Sequence, residues 1–396
     1  MNRSLIILFL TILTVAVLFL FFPRIFVKNT DLNRNSVEEE ITLLLVAKNL
    51  PENKEEVLEI ITPPILVNPP EIIKSIYLTS WSASSEKRID YVIELASSTG
   101  INAVVIDIKD YSGNVFYDTA VPEAEEYKAE IKRIADIDSL IERLHQEGIY
   151  VIARVTVFQD PVLALARPDL AIKSQADDSL PWLDNKGLAW IDVSAKDAWD
   201  YNIAIAQDAA RHGFDEINFD YVRFPSDGDL KDMVFPFYDE ETLMRTALSD
   251  FFAYLRQGLP DIKTSVDLFG LVTVRSDDMG IGQVLEDTFP YFNFICPMVY
   301  PSHYDDWFLG YPNPAEYPYE VVKYSMENAL KRWELSTTTD KGELRPWLQD
   351  FDMGADYDAA MVRKEIKAVA DVMGDNYKGF MLWSPTNFYT EEAIGR

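Results

Sequence analysis

Residues 101–110 read INAVVIDIKD, residues 136–148 read DIDSLIERLHQEG, and residues 149–158 read IYVIARVTVF. The first and third runs are almost continuously apolar and rich in β-branched residues, as strands buried on both faces must be. The middle run has helical period and ends in Gly148, the residue suited to a left-handed helix cap. Strand, amphipathic helix and strand in succession make the unit of a parallel sheet. The pattern continues in both directions. SIYLTSW (75–81), EINFDYVRF (216–224), IKTSVDLFG (262–270), FNFICPMVY (292–300), LRPWLQDF (344–351) and GFMLWSP (379–385) bring the strands to eight. EKRIDYVIELASSTG (86–100) and DAWDYNIAIAQDAARHG (197–213) are among the helices between them. Eight such units predict a (β/α)8 barrel over residues 71–396. An open doubly wound sheet is the rival, but no Gly-rich phosphate turn follows the first strand.

Upstream of the barrel the chain changes character. Leu5 to Phe22 is apolar apart from two Thr, and about 18 such residues just span a bilayer core. Its end, FLFFPRIF, is bulky where a cleaved signal has small residues, so residues 1–28 are expected to be a transmembrane anchor or uncleaved signal. Arg3 competes with Arg24, Lys28 and Arg34, so the charge rule leaves the orientation open. An extracytoplasmic body is the expectation, since nothing later in the sequence has spanning character. Residues 29–70, polar and then Pro-rich at TPPILVNPP (62–70), read as a spacer.

Composition narrows the function. The chain has 396 residues, 48% hydrophobic, with 65 acidic against 36 basic side chains and a net charge of -29. That balance argues against nucleic acid as a partner, because phosphates are bound by neutralising them. The single cysteine, Cys296, excludes an internal disulfide, an iron–sulfur cluster and an all-cysteine zinc site. Only three histidines occur, and of His145, His212 and His303 only the last follows a predicted strand, so a zinc hydrolase is not expected. No serine nucleophile elbow and no Walker loop is present. No cofactor or metal is expected, although the acids alone leave a carboxylate-bound magnesium or calcium ion open, and a monomer is expected.

In a barrel the strand ends open on one shared cavity, so polar residues there form the candidate site. Alternation puts Asp107 and Lys109 on one face of the second strand, Asn218 and Asp220 on one face of the fourth, and Ser265 and Asp267 on one face of the fifth. Tyr300, Gln349 and Trp383 hold comparable places on later strands, and Trp81 ends the first. The expected catalytic set is Asp107, Asp220 and Asp267. The expected substrate contacts are Trp81, Lys109, Asn218, Arg223, Tyr300, His303, Gln349 and Trp383. Carboxylates sharing a pocket can hold different protonation states, which is the chemistry of glycosidic cleavage. Aromatic faces suit sugar rings. The same acids also read as helix caps or barrel salt bridges with Lys109 and Arg223. Schiff-base chemistry at Lys109 is disfavoured by Asp107 and Asp110 beside it. Several acids around one pocket suit a neutral or partly cationic glycan, such as a deacetylated amino-sugar polymer.

DEINFDYVRFPSDG (215–228), with YLTSW (77–81), INAVVIDIKDYSGNVFYD (101–118), ICPMVYPSHY (295–304) and GFMLWSPTNFY (379–389), resembles a family of bacterial glycoside hydrolases. The resemblance runs over residues 72–390. It implies a TIM-barrel catalytic domain, distantly similar to amylase-type glycosidases and to bacterial domains acting on extracellular polysaccharide. By that similarity Asp220 matches the position of a nucleophile and Asp267 that of the general acid. Asp stands at the fifth strand where Glu is usual, which leaves the roles and the retaining or inverting outcome open. The function implied is hydrolysis of an extracellular or cell-envelope polysaccharide or oligosaccharide. The alternative is a noncatalytic glycan-binding or scaffold protein on the same barrel.

Overall fold

The computed structural model describes residues 65–395. The expected anchor lies outside them, as does the spacer up to residue 64. Among the described residues no helix is long and apolar enough to cross a membrane. Eight parallel staves form the sheet. They are β1 (Ile73–Leu78), β2 (Ala103–Lys109), β3 (Tyr150–Thr156), β4 (Glu216–Asp220), β5 (Thr264–Phe269), β6 (Phe294–Met298), β7 (the segments Glu343–Leu344 and Trp347–Gln349) and β8 (Gly379–Trp383). Each pairs with the next, and β8 pairs with β1 through Ile73↔Gly379, so the sheet closes. Helices α1 (Glu86–Ser98), α2 (Ile137–Gln146), α3 (Lys196–Arg211), α4 (Met244–Gly258), α5 (Leu285–Thr288), α6 (Pro318–Leu335), α7 (Ala359–Met373) and α8 (Glu391–Ile394) follow the staves in turn. The (β/α)8 barrel is therefore present.

Local chemistry sets the boundaries. Asp136 caps α2 by accepting from the Ser139 N–H, and Gly148 and Gly213 take the left-handed φ values of +72° and +100° expected after α2 and α3. Gly100, after α1, does not. The closing seam depends on Gly379. At φ +100°, a Cβ there would lie 1.8 Å from the Ile73 carbonyl oxygen, so only glycine lets β8 approach β1. Three strands are shorter than their apolar runs. β1 ends where Thr79 caps a helical turn, β4 ends at Asp220 because Tyr221 turns to φ +53°, and β7 breaks at Arg345-Pro346, where proline has no N–H for the ladder.

Alternation sorts the side chains into two cores. Outward residues such as Val104, Val151, Phe219 and Val266 pack with the helix faces, for instance Ile137, Leu140, Ile141 and Leu144 of α2. Inward residues including Ile73, Val105, Tyr150, Ile152, Phe294, Cys296 and Met381 fill the barrel. At the N-terminal end of the barrel Arg345 and Glu216, both fully buried, form an ion pair, with Tyr150 donating to Glu216 at 3.3 Å and the Phe294 ring 4.1 Å from the guanidinium. One irregularity corrects the expected face of β2. Asp107 registers with Arg154, but Lys109 registers with Val155, so Ile108 is the extra residue of a bulge. The bulge turns Lys109 off the Asp107 face.

Candidate active site

Five adjacent staves and one further stave deliver ionisable or aromatic side chains to the C-terminal mouth: Tyr77 from β1, Asp107 from β2, Arg154 from β3, Asp220 from β4, Asp267 from β5 and, on β7, Trp347. The centre is Arg154. Its Nη1 donates to Asp107 Oδ1 at 2.5 Å, its Nη2 donates to Asp220 Oδ2, and its Nε lies 3.7 Å from Asp267 Oδ2. Burial opposes the guanidinium charge, yet Asp107, Asp220, Tyr77 and Asp267 together hold its pKa well above the ordinary value. Tyr77 donates its hydroxyl to Asp107 Oδ2; burial and the Asp107 charge push the Tyr77 pKa far up, so it stays a donor.

The carboxyls sit in different surroundings. Asp220, last in β4, accepts from Arg154 and, because the chain turns sharply at Tyr221, from the Tyr221 N–H at 2.5 Å. Asp267 is 1% exposed and accepts on Oδ1 alone, from Trp347 Nε1 at 2.7 Å and Asn218 Nδ2 at 2.8 Å. Burial first, and the Asp220 charge second, push its pKa up to about 8 against the pull of Arg154, Asn218 and Trp347. Asp107 is also raised, burial outweighing Arg154 and Tyr77.

Above these groups opens a cavity of about 540 Å³. Asp220, Asp267, Arg154, Tyr77, Trp347, Tyr300, His303, Trp383, Tyr221, Arg223, Phe269 and Lys186 are among its walls. Tyr300 and Trp383 lie 6.0 Å apart, and Phe351 meets Trp383 edge-on at 4.9 Å, giving a rigid aromatic wall suited to stacking on an apolar sugar face.

Of the residues expected from sequence, Asp220, Asp267, Arg223, Tyr300, His303 and Trp383 line this cavity. Asp107 and Asn218 stand directly behind it, bonded to its lining. Three expected contacts are elsewhere. Lys109, turned by the bulge, is wholly buried, pairs with Asp160 at 2.8 Å and donates to the Thr156 carbonyl at 2.7 Å. Gln349 is fully buried and accepts from Ser302 Oγ at 2.8 Å, so it fastens the loop after β6. Trp81 lies in the helical turn beyond β1, 70% exposed, with the Arg133 guanidinium 3.9 Å from its ring. Sequence reasoning missed Arg154, Tyr77, Trp347, Tyr221 and Lys186. Arg154 carried a usable signal, a cation within the apolar run VIARVTV (151–157) where an unpaired charge is untenable.

A closed parallel barrel with ionisable side chains gathered at its strand C-termini has the architecture of a TIM-barrel enzyme. Residues 75–389 match the family described as "Putative glycosyl hydrolase domain", and the chain belongs to that family. Among solved structures it is similar to the PgaB (BpsB) glycoside hydrolase domain from Bordetella bronchiseptica, at 13% identity and TM-score 0.59 over 82% of this chain and 99% of that one. It is also similar to alpha-L-fucosidase isoenzyme 2 from Paenibacillus thiaminolyticus, at 15% identity and TM-score 0.54 over 82% of this chain and 48% of that one. At these identities the likeness is one of fold. A hypothetical protein from Ruminiclostridium thermocellum ATCC 27405 is 37% identical over 52% of this chain and 98% of its own, with TM-score 0.45. No curated protein matches.

Proposed function

We propose that the chain hydrolyses a glycosidic bond in an extracellular or cell-envelope polysaccharide or oligosaccharide. Asp267 donates its proton to the leaving oxygen, and Asp220 acts on the anomeric carbon as nucleophile or, through water, as base. The observation that carries this reading is the unlike pair: a buried carboxyl with a pKa raised to about 8 shares a cavity with one held by Arg154 and a backbone N–H. Two carboxyls in different protonation states are what glycosidic cleavage uses. Asp107 and Tyr77 hold Arg154 in place, and Trp383 and Tyr300 take the sugar face. The body is proposed to lie outside the cytoplasm, tethered by residues 1–28. The test is release of reducing ends from a panel of bacterial polysaccharides. Asp220→Asn should abolish release while the protein stays folded, and wild-type turnover in that variant refutes the assignment.

One observation favours the second reading, a glycan-binding or scaffold barrel without turnover. Arg154 engages Asp107 and Asp220 and approaches Asp267, an arrangement that also serves as a structural ion cluster. On that reading a polysaccharide is retained and no reducing ends appear.

A further inference from the structure

Arg223, in the loop after β4, is 7% exposed, yet no carboxylate lies within ion-pair distance of it among the described residues. Three rings fix its plane: its guanidinium carbon is 4.7 Å from the Trp190 ring, 4.8 Å from Phe269 and 5.3 Å from Tyr221. Nη1 donates to the Phe224 carbonyl at 3.0 Å and to Ser226 Oγ at 3.2 Å. Nε and Nη2 have no hydrogen-bond acceptor among the described residues. The acids whose charge acts on it, Asp220, Asp227 and Asp184, are each bonded elsewhere: Asp220 accepts from Arg154 and the Tyr221 N–H. Asp184 accepts from Gln159, Trp190 and the Lys186 and Leu188 N–H groups; Asp227 accepts from the Asn185 N–H. Burial pulls the Arg223 pKa down, the sign of a charge short of a partner.

The same cavity is lined by Lys186, exposed and without an ion pair among the described residues. Its charged walls are therefore Arg154, Lys186 and Arg223 against Asp220 and Asp267. Arg154 is engaged by the acids, whereas Arg223 and Lys186 have no carboxylate within ion-pair distance among the described residues, in a chain of net charge -29. A desolvated cation is costly unless a ligand supplies the anion. The free Nε–Nη2 edge is a flat two-donor fork, and its complement is the pair of oxygens of a carboxylate.

We infer that Arg223 and Lys186 form a subsite for the carboxylate of an acidic sugar, so that the glycan taken by this cavity is carboxylated. The inference rests on the glycan reading proposed above, and it replaces the neutral or cationic glycan expected from the acid count, because that count omitted the cations folded around the acids.

The test is affinity electrophoresis of the full chain, purified in detergent, through gels containing polygalacturonate, alginate or hyaluronan, each compared with its carboxyl-reduced form. Retardation by an acidic polymer is expected, weakened about tenfold or more by carboxyl reduction and by Arg223→Gln, as loss of a bidentate charged contact implies. Arg223→Lys, which keeps the charge and loses the fork, should fall between them. Lys186→Gln, on an exposed side chain, should weaken retardation severalfold and serves if Arg223→Gln does not fold. Equal retardation by acidic and reduced polymers, indifference to both positions, or no retardation by any acidic polymer overturns the inference. Reducing-end release separates the two proposals. Asp220-dependent cleavage of neutral polymers alone leaves the hydrolase and removes the acidic subsite. Carboxyl-dependent binding without cleavage does the reverse.

Discussion

Replacing Asp267 with asparagine removes one charge and keeps the carbonyl oxygen that Trp347 Nε1 and Asn218 Nδ2 donate to. In the folded chain this carboxyl is raised from 3.8 to about 8 by burial and by Asp220, so the folded state binds its proton more tightly than the unfolded state does. The stability conferred by that proton is complete below about pH 4 and is lost progressively as pH rises through about 8. The full shift corresponds to on the order of 6 kcal/mol at about 1.4 kcal/mol per tenfold. Part of it belongs to the Asp220–Asp267 pair jointly, so we expect Asp267→Asn to stabilise the fold by about 2–3 kcal/mol at pH 9 and by nothing measurable at pH 4. Urea unfolding of both proteins at pH 4, 7 and 9, followed by tryptophan fluorescence, measures this. Turnover by the wild type should fall above about pH 8, as the general acid loses its proton, and should be absent in the variant at every pH. A variant less stable than wild type at pH 9 refutes the protonation argument. One that is more stable but fully active refutes the catalytic role alone.

Four other outcomes follow from the packing. Arg154→Met should destabilise the fold by about 3–5 kcal/mol at pH 7, because Asp107, Asp220 and Asp267 are left facing each other without a cation; thermal melts measure it, and an unchanged melt would show the cluster to be dispensable. Lys109→Met should cost a similar amount, on the order of 3–5 kcal/mol, by stranding Asp160 in the core. Borohydride treatment should trap no adduct on the wild type, since Lys109 is sealed from the cavity. Gly379→Ala should destabilise by about 2 kcal/mol or more, the barrel seam having no room for a Cβ, as denaturant midpoints would show.

Periodicity carried the architecture. The eight strands were legible because burial on both faces demands runs such as INAVVIDIKD, and glycines at 148 and 213 marked the helix ends they occupy. What periodicity cannot show is register between neighbours. Lys109 was placed beside Asp107 by alternation within its own strand, but the Ile108 bulge is defined only against β3. The expected reach of β4 to Phe224 failed for a related reason: Tyr221 abandons the extended conformation, and that turn delivers its N–H to Asp220. Trp190 and Lys186 lie in the loop after β3, which is held against the loop after β4. A two-stranded ribbon joins Lys173–Ser174 there to Met233–Val234. Nothing local in sequence announces such a pairing.

The acids were found by position, but their meaning depends on the cations, and those come from other elements. Asp107, Asp220 and Asp267 reach one place because β2, β4 and β5 are near neighbours in a closed sheet. The stave between β2 and β4 is β3, so the geometry that assembles the acids also puts Arg154 among them. A bare trio of carboxylates would shift two or more of its members toward the neutral form. With Arg154 present the acids differ: Asp107 and Asp220 are closely paired with it, whereas Asp267, only 3.7 Å from Nε and wholly desolvated, is raised to about 8, and burial raises Asp107 as well. One inward arginine thus converts three chemically equal side chains into an unlike pair and a support. For the same reason the charge of the cavity differs from that of the chain as a whole. The excess of acids over bases belongs to the molecule's total, whereas the walls above Asp220 and Asp267 carry Arg223 and Lys186 without counterions among the described residues. Long-range repulsion between an acidic body and an acidic glycan fades within a Debye length of about 8 Å at physiological salt. The contact at the Arg223 fork is made inside that distance and largely out of water, so recognition follows the cavity's charge rather than the chain's.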